Sequence, residues 1–250
     1  DYTKTRNYWK YLKAKLKKEN SEVVSATTQF KLIAPDGKNR LSDMLDYSGI
    51  IALGKQFPSI KANRFIEWFT YSDESIDGKS KTKAYALFES SLIDSIEVGT
   101  IKGLQQIHGY LFGGLYDFAG QIRIKSISKG GYQFTPAHYL DTHFAKIEAM
   151  PETSLHEIVD KYCAMNIAHP FMEGNGRSTR VWLDMILKKQ LKCCVDWSKI
   201  SKSNYMNAMI ISTFDSSELL KLIERAITTD IDSREMFMKG IDYSYYYEEN

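Results

Sequence analysis

The sequence predicts a mainly α protein with a single short β-hairpin, on two observations. Apolar residues recur at the spacing of one helix face in successive stretches, with helix start and stop residues beside them. Only one stretch, SISKGGYQF (126–134), has the two short runs about a Gly-Gly turn that mark a hairpin. No internal repeat or low-complexity tract interrupts the pattern.

The elements follow in order. In RNYWKYLKAKLKKENSEVV (6–24), Tyr8, Leu12 and Leu16 share one helical row and Trp9 and Lys13 the next, which predicts a basic amphipathic helix. Pro35-Asp36-Gly37 predicts a turn, since Pro fixes φ and Gly tolerates positive φ. Residues 41–53 and 62–70 read as two further helices, completing a small α-rich N-terminal module. Asp73–Lys83 (DESIDGKSKTK) is polar and contains Gly, and reads as a linker. Residues 84–95 and 100–113 read as helices, the second ended by Gly113-Gly114. Ser154 and Glu157 form a capping box, and Ile158, Tyr162 and Met165 mark the buried face of a helix that runs to Ala168. Pro170 ends it, because a residue before proline is pushed out of the right-handed helical region. Arg177–Gln190 reads as the next helix.

The totals set few limits. A chain of 250 residues holds one large domain or two smaller ones, and a net charge of +2 points to no particular partner. The charge is uneven, however. Residues 1–83 carry 16 Lys+Arg against 10 Asp+Glu, and the remainder 17 against 21. Cys163, Cys193 and Cys194 offer neither a disulfide framework nor a zinc spacing, which fits a reducing cytoplasm. No apolar run approaches the roughly 18 residues that span a bilayer, and no signal peptide is visible, so a cytoplasmic protein without membrane association is expected.

HPFMEGNGRSTR (169–180) concentrates the chemistry. Gly174-Asn175-Gly176 lies just before a predicted helix, where successive backbone N–H groups and the positive helix end make a phosphate site. Arg177 and Arg180, three apart, add guanidinium groups for further phosphate oxygens. Glu173 is a hard oxygen ligand suited to Mg²⁺ that phosphates also hold. His169 at the loop mouth has the acidity of a general base. A zinc site from His169 and Glu173 has no evident third ligand, and the Walker A pattern is absent. Together the residues predict group transfer from a nucleoside triphosphate.

The same stretch resembles the H-P-F-x-[DE]-G-N-G-R-x-x-R signature of the Fic (filamentation induced by cAMP) domain family. The resemblance extends from about Ser90 to the C-terminus, through LQQIHGYLFGGLYDFAGQIR (104–123) and the hairpin. It implies a Fic-type helical bundle with a hairpin flap, and a protein adenylyltransferase that moves AMP from ATP to a Tyr, Thr or Ser hydroxyl of a target protein, with Mg²⁺. By the resemblance His169 is the general base and Glu173 the metal ligand. Gly174, Asn175 and Gly176 form the anion hole, and Arg177 and Arg180 take the β- and γ-phosphates. Ser128, Lys129, Gly130, Gly131, Tyr132, Gln133 and Phe134 form the flap that docks the target by strand addition. A branch with Lys in place of the second Gly phosphorylates instead, and Gly176 argues against it. Transfer of another phosphate-linked group stays open.

SYYYE (244–248) resembles the family's inhibitory [ST]-x-x-x-E-[GN] motif, with Glu249 in place of the final Gly or Asn. Ser244 and Glu248 are one turn apart, and the resemblance implies that Glu248 pairs with Arg180 and holds ATP in an unproductive pose. Tyr243, Tyr245, Tyr246 and Tyr247 are candidate self-modification sites. The front segment, through residues 6–24 and QFKLIAPDGKNRLSD (29–43), resembles DNA-damage-inducible protein D and BRO-type antirepressor domains. Lys10, Lys13, Lys17 and Lys18 are then candidates for DNA phosphates, and Trp9 or Tyr11 for base stacking. Target recruitment, or self-association into a homo-oligomer, is the alternative for this segment, and the rival reading of the whole chain is a DNA- or partner-binding regulator whose Fic site mainly modifies itself. The expected division is 1–83 N-terminal module, 84–231 catalytic domain and 232–250 inhibitory helix.

Overall fold

The computed structural model of the protein describes residues 2–19, 22–25, 27–33, 38–57, 62 and 74–248. The chain divides into two compact units, Asp1–Ser72 and Asp73–Asn250.

In the first unit, helix α1 (Tyr2–Lys18) and the single turn α2 (Glu22–Ser25) precede strands β1 (Thr27–Ile33) and β2 (Asn39–Leu45), followed by α3 (Tyr47–Gly54). The strands pair antiparallel from Thr27↔Leu45 to Ile33↔Asn39. The sequence reading missed this hairpin. Residues 41–45, expected to be helical, form the strand, and α3 starts only after Asp46, whose carboxylate accepts from Gly49 N at 2.7 Å. Tertiary contacts override local propensity here. The Asp43 carboxylate accepts from Trp9 Nε1 (2.8 Å), Lys13 Nζ (2.7 Å) and Gln29 Nε2 (2.8 Å). Those donors hold the Asp43 carboxyl at a pKa of about 2, the hydrogen bond from Lys13 contributing most. Leu12, Leu16 and Val23 form the small core, with Trp9, Leu45 and Phe57 packed on it. Trp9 and Lys13, expected as nucleic-acid contacts, are thus engaged inside the unit, whereas Tyr11 is exposed. The expected turn at 35–37 and helix at 62–70 lie, apart from Ala62, outside the described residues.

The second unit is a helical assembly. Its main elements are α4 (Ile76–Glu89), α5 (Ile101–Phe112), α6 (Leu140–Glu148), α7 (Leu155–Ala168), α8 (Asn175–Leu191), α9 (Lys202–Ile211), α10 (Ser217–Ala226) and α11 (Arg234–Tyr246). Two-residue strands β3 (Ser128–Lys129) and β4 (Tyr132–Gln133) form a hairpin. Strands β5 (Cys194–Val195) and β6 (Ile227–Thr228) tie two helix ends together. Leu104, Ile107 and Leu111 of α5 pack in one core with Ile158, Tyr162 and Met165 of α7 and Trp182, Leu183 and Ile186 of α8. The faces buried by α5 and α7 are those the 3.6-residue spacing marks. Among the described residues no helix is long and apolar enough to cross a membrane.

The stretch expected as a linker is instead the first half of α4. Ser75 caps the helix by accepting from Gly78 N at 3.0 Å. The helix then lies along α11, with polar residues meeting in register. The Tyr245 hydroxyl donates to Ser80 Oγ (2.9 Å), and Lys81 pairs with Asp242 (2.8 Å), to which Tyr85 also donates. Phe88 stacks on Phe237 at 4.4 Å and Arg234 Nε donates to Glu89 (2.6 Å). Part of its polar composition, Ser80 and Lys81 above all, reflects these helix partners. Helix α4 ends at Glu89, and 91–95 form a separate 3₁₀ turn.

Candidate active site

The loop between α7 and α8 is shaped from both ends. The capping box at Ser154 and Glu157 starts α7, and Pro170 stops it. His169 ends the helix in the left-handed region, φ 50 and ψ 65, a conformation few non-glycine residues adopt. Gly174 is left-handed too, φ 78, and a Cβ there would lie 2.5 Å from Phe112 Cε2, so only glycine fits. The Asn175 side chain closes the loop, accepting from Phe171 N and donating to Phe171 O, both at 2.8 Å.

This geometry decides the histidine's proton. His169 Nδ1 lies 3.2 Å from the carbonyl of Asn166, which can only accept, so Nδ1 carries the hydrogen and Nε2 is the free base. The ring stacks on Phe134 at 3.7 Å, the Phe that follows the hairpin. Burial lowers the pKa to about 4, which keeps the imidazole neutral at pH 7.

The residues expected to bind anions are adjacent. Helix α8 begins at Asn175, and its first backbone N–H groups have no intrahelical partners. The Glu173 carboxylate, 58% exposed, accepts from Gly174 N and Arg177 Nη2, both at 3.0 Å. Among the described residues no three His, Cys, Asp or Glu side chains converge. A single exposed carboxylate at a phosphate-type helix end fits Mg²⁺ held largely by phosphates rather than a protein cage. Arg180 is buried with its donors engaged: Nε to Ser244 Oγ (2.8 Å), Nη1 to Tyr205 Oη (3.1 Å), Nη2 to Ser244 O (2.7 Å) and to Glu248 Oε1 (2.6 Å). Glu248 lies so close over the helix start that a Cβ on Gly176 would be 2.1 Å from its Oε1. Burial raises the Glu248 pKa, but Arg180 outweighs it and the carboxyl stays below its ordinary value.

Strands β3 and β4 pair Ser128↔Gln133 and Lys129↔Tyr132 across Gly130 and Gly131, both at positive φ as a two-residue hairpin turn of this type requires. Of the four tail tyrosines expected as acceptors, two are unsuited in this conformation. Tyr245 is buried and bonded to Ser80, its pKa raised to about 12 by burial. Tyr247 is buried and its hydroxyl lies 2.8 Å from Ile200 O. Tyr246 is exposed and Tyr243 half-buried.

Three site residues escaped the sequence reading. Arg123, buried, donates to the carbonyls of His169 (2.7 Å), Lys125 (2.7 Å), Thr135 and Ala168 (3.0 Å), fastening the hairpin base to the histidine's backbone. His108 accepts from Gly120 N (2.8 Å) at Nδ1 and donates from Nε2 to Glu173 O (2.9 Å). Asp77, on α4, pairs with Arg177.

Burial holds both His108 and His169 at about 4, against an ordinary 6.5. The unfolded chain therefore takes up two protons that the folded chain refuses as pH falls. Stability from these groups is full above pH 6.5 and declines toward pH 4. Urea titrations at about pH 7 and 5 test this against the ordinary His pKa: the midpoint should be lower at the acid pH, and an equal or higher one contradicts it.

With this geometry in place, likeness to known proteins is informative. Residues 99–187 match the Fic/DOC family. The chain is 31% identical over 134 residues to the probable protein adenylyltransferase y4lH of Sinorhizobium fredii, covering 48% of this chain and 69% of that protein. It is 29% identical over 139 residues to the protein adenylyltransferase VbhT of Bartonella schoenbuchensis, covering 50% of this chain but only 28% of VbhT. Its fold is similar to that of BepC from Bartonella tribocorum, solved with bound AMPPNP, with a TM-score of 0.52 and 18% identity over 67% of this chain and 88% of that one. The type IV secretion effector BepA is similar at a TM-score of 0.52 and 19% identity, over 70% and 64% of the two chains. The chain belongs to the Fic/DOC family.

Proposed function

We propose that this chain is a protein adenylyltransferase that moves AMP from ATP to a Tyr, Thr or Ser hydroxyl of a target protein and is restrained by its own Glu248. One observation carries the reading: His169 presents an unprotonated Nε2 beside a glycine-shaped helix start and two arginines. The names of the relatives above support it.

In this reading His169 Nε2 takes the proton of the incoming hydroxyl. The hydroxyl oxygen bonds to the α-phosphorus, and the bond from that phosphorus to the bridging oxygen breaks, releasing pyrophosphate. The amides of Gly174, Asn175 and Gly176 receive phosphate charge, with Arg177 and Arg180 for the β- and γ-phosphates. Glu173 would hold Mg²⁺, which supplies charge neutralisation for the phosphates when bound. The hairpin at 128–134 pairs with an extended target segment, and Arg123 keeps it in step with His169. Tyr246 and Tyr243 are the tail tyrosines best exposed for self-modification.

Labelled ATP tests the activity. Incubation of cell lysate with α-phosphate-labelled or γ-phosphate-labelled ATP and Mg²⁺, with and without the chain, should show protein label added by the chain from the α position only. γ label added by the chain would make it a kinase, and no added label from either, even with Glu248→Gly, would remove ATP as the donor.

A further inference from the structure

We propose that Asp77 sets nucleotide affinity by competing with phosphate for Arg177, a role that rests on the transferase reading above. The Arg177 guanidinium is 4% exposed and packs over the rings of Phe112 (4.9 Å) and Tyr245 (5.6 Å). Its Nε is buried without a hydrogen-bond partner. Nη1 and Nη2 reach Asp77 and Glu173, carboxylates that are 61% and 58% exposed, and the half-buried Tyr116 hydroxyl also lies against the guanidinium. The solvent side of Arg177 is therefore the side the carboxylates cover. A phosphate arriving from solvent meets them before it meets the arginine.

The two carboxylates differ in what they do next. Glu173 belongs to the phosphate loop itself and has an alternative donor in Gly174 N at 3.0 Å. Asp77 comes from α4, one hundred residues away in sequence, and its negative charge has no use once phosphate occupies Arg177. Two like charges a few ångströms apart repel even where solvent screens them. Asp77 thus stands to Arg177 as Glu248 stands to Arg180, a carboxylate from outside the loop on each motif arginine. The two carboxylates also belong to linked segments, since Ser80 of α4 receives the Tyr245 hydroxyl of α11. Because Asp77 is mostly exposed, its departure costs little, so the effect is one of affinity rather than a block.

Calorimetric titration of ATP and AMP into the full chain tests this, in a His169→Ala/Glu248→Gly background that neither transfers nor carries the tail carboxylate. Asp77→Asn keeps an acceptor for the buried arginine and removes only charge, so ATP should bind about tenfold more tightly. AMP, lacking the outer phosphates, should bind unchanged. Asp77→Glu should keep the background affinity, and Asp77→Ser should repeat the gain. Unchanged or weakened ATP binding in Asp77→Asn and Asp77→Ser, or AMP tightened as much as ATP, overturns the inference alone. No ATP binding by any of these proteins overturns the transferase reading and this one with it.

Discussion

Glu248→Gly should raise incorporation of the α label by on the order of 10²-fold, the scale of one charge-assisted hydrogen bond to a buried guanidinium. The Glu248 carboxylate takes an Arg180 donor at 2.6 Å and lies against Gly176 at the positive end of α8. It therefore occupies what a phosphate needs twice over, as counter-ion of the arginine and as anion on the helix start. Removing it leaves Ser244, Tyr205 and the α4 contacts in place, so the tail stays docked while the phosphate position opens. Because Arg180 keeps the carboxyl below its ordinary pKa, mild acid should not substitute for the mutation. Initial rates at equal ATP measure the effect, with Glu248→Gln as the charge-only control. Parent and Glu248→Gly rates within about twofold of each other would mean that the tail pair is structural.

His169→Ala, in the Glu248→Gly protein, should lower transfer by about 10²–10⁴-fold, the range for a positioned general base. Nucleotide affinity should stay nearly constant, since Nδ1 is committed to Asn166 and the ring stacks on Phe134 rather than touching the phosphate loop. His169→Asn is the sterner version, because asparagine tolerates the left-handed backbone at φ 50 better than alanine. Rates and equilibrium binding together separate the outcomes. Parent-level transfer in both variants would assign the proton to another group, and a parallel loss of binding would make His169 a structural support of the loop.

The second unit was legible in the sequence because its signals are local. Ser154 and Glu157 declare a helix start, Pro170 declares its end, and Gly130-Gly131 declares the hairpin turn, each within a few residues. The first unit was less legible, because Asp43 is tied to Trp9 and Lys13, 34 and 30 residues away, and those ties draw 41–45 into a strand. Residues 76–83 were misread for the same reason. Asp77, Ser80 and Lys81 read as solvated until their partners Arg177, Tyr245 and Asp242 are known. Arg123 looked like one more basic residue, and only the fold reveals four carbonyls around it.

The register between α4 and α11 bears on how the second unit should be cut for laboratory work. A fragment starting at Ala84, where composition suggests a boundary, discards Ser80 and Lys81 and with them the seat of Tyr245 and one of the two partners of Asp242. It also discards the counter-ion of Arg177. Such a fragment would retain every motif residue and Glu248, yet its basal rate would describe a loosened protein. A fragment that begins at Asp73 keeps the whole of α4 with its Ser75 cap, so its resting activity speaks for the intact second unit.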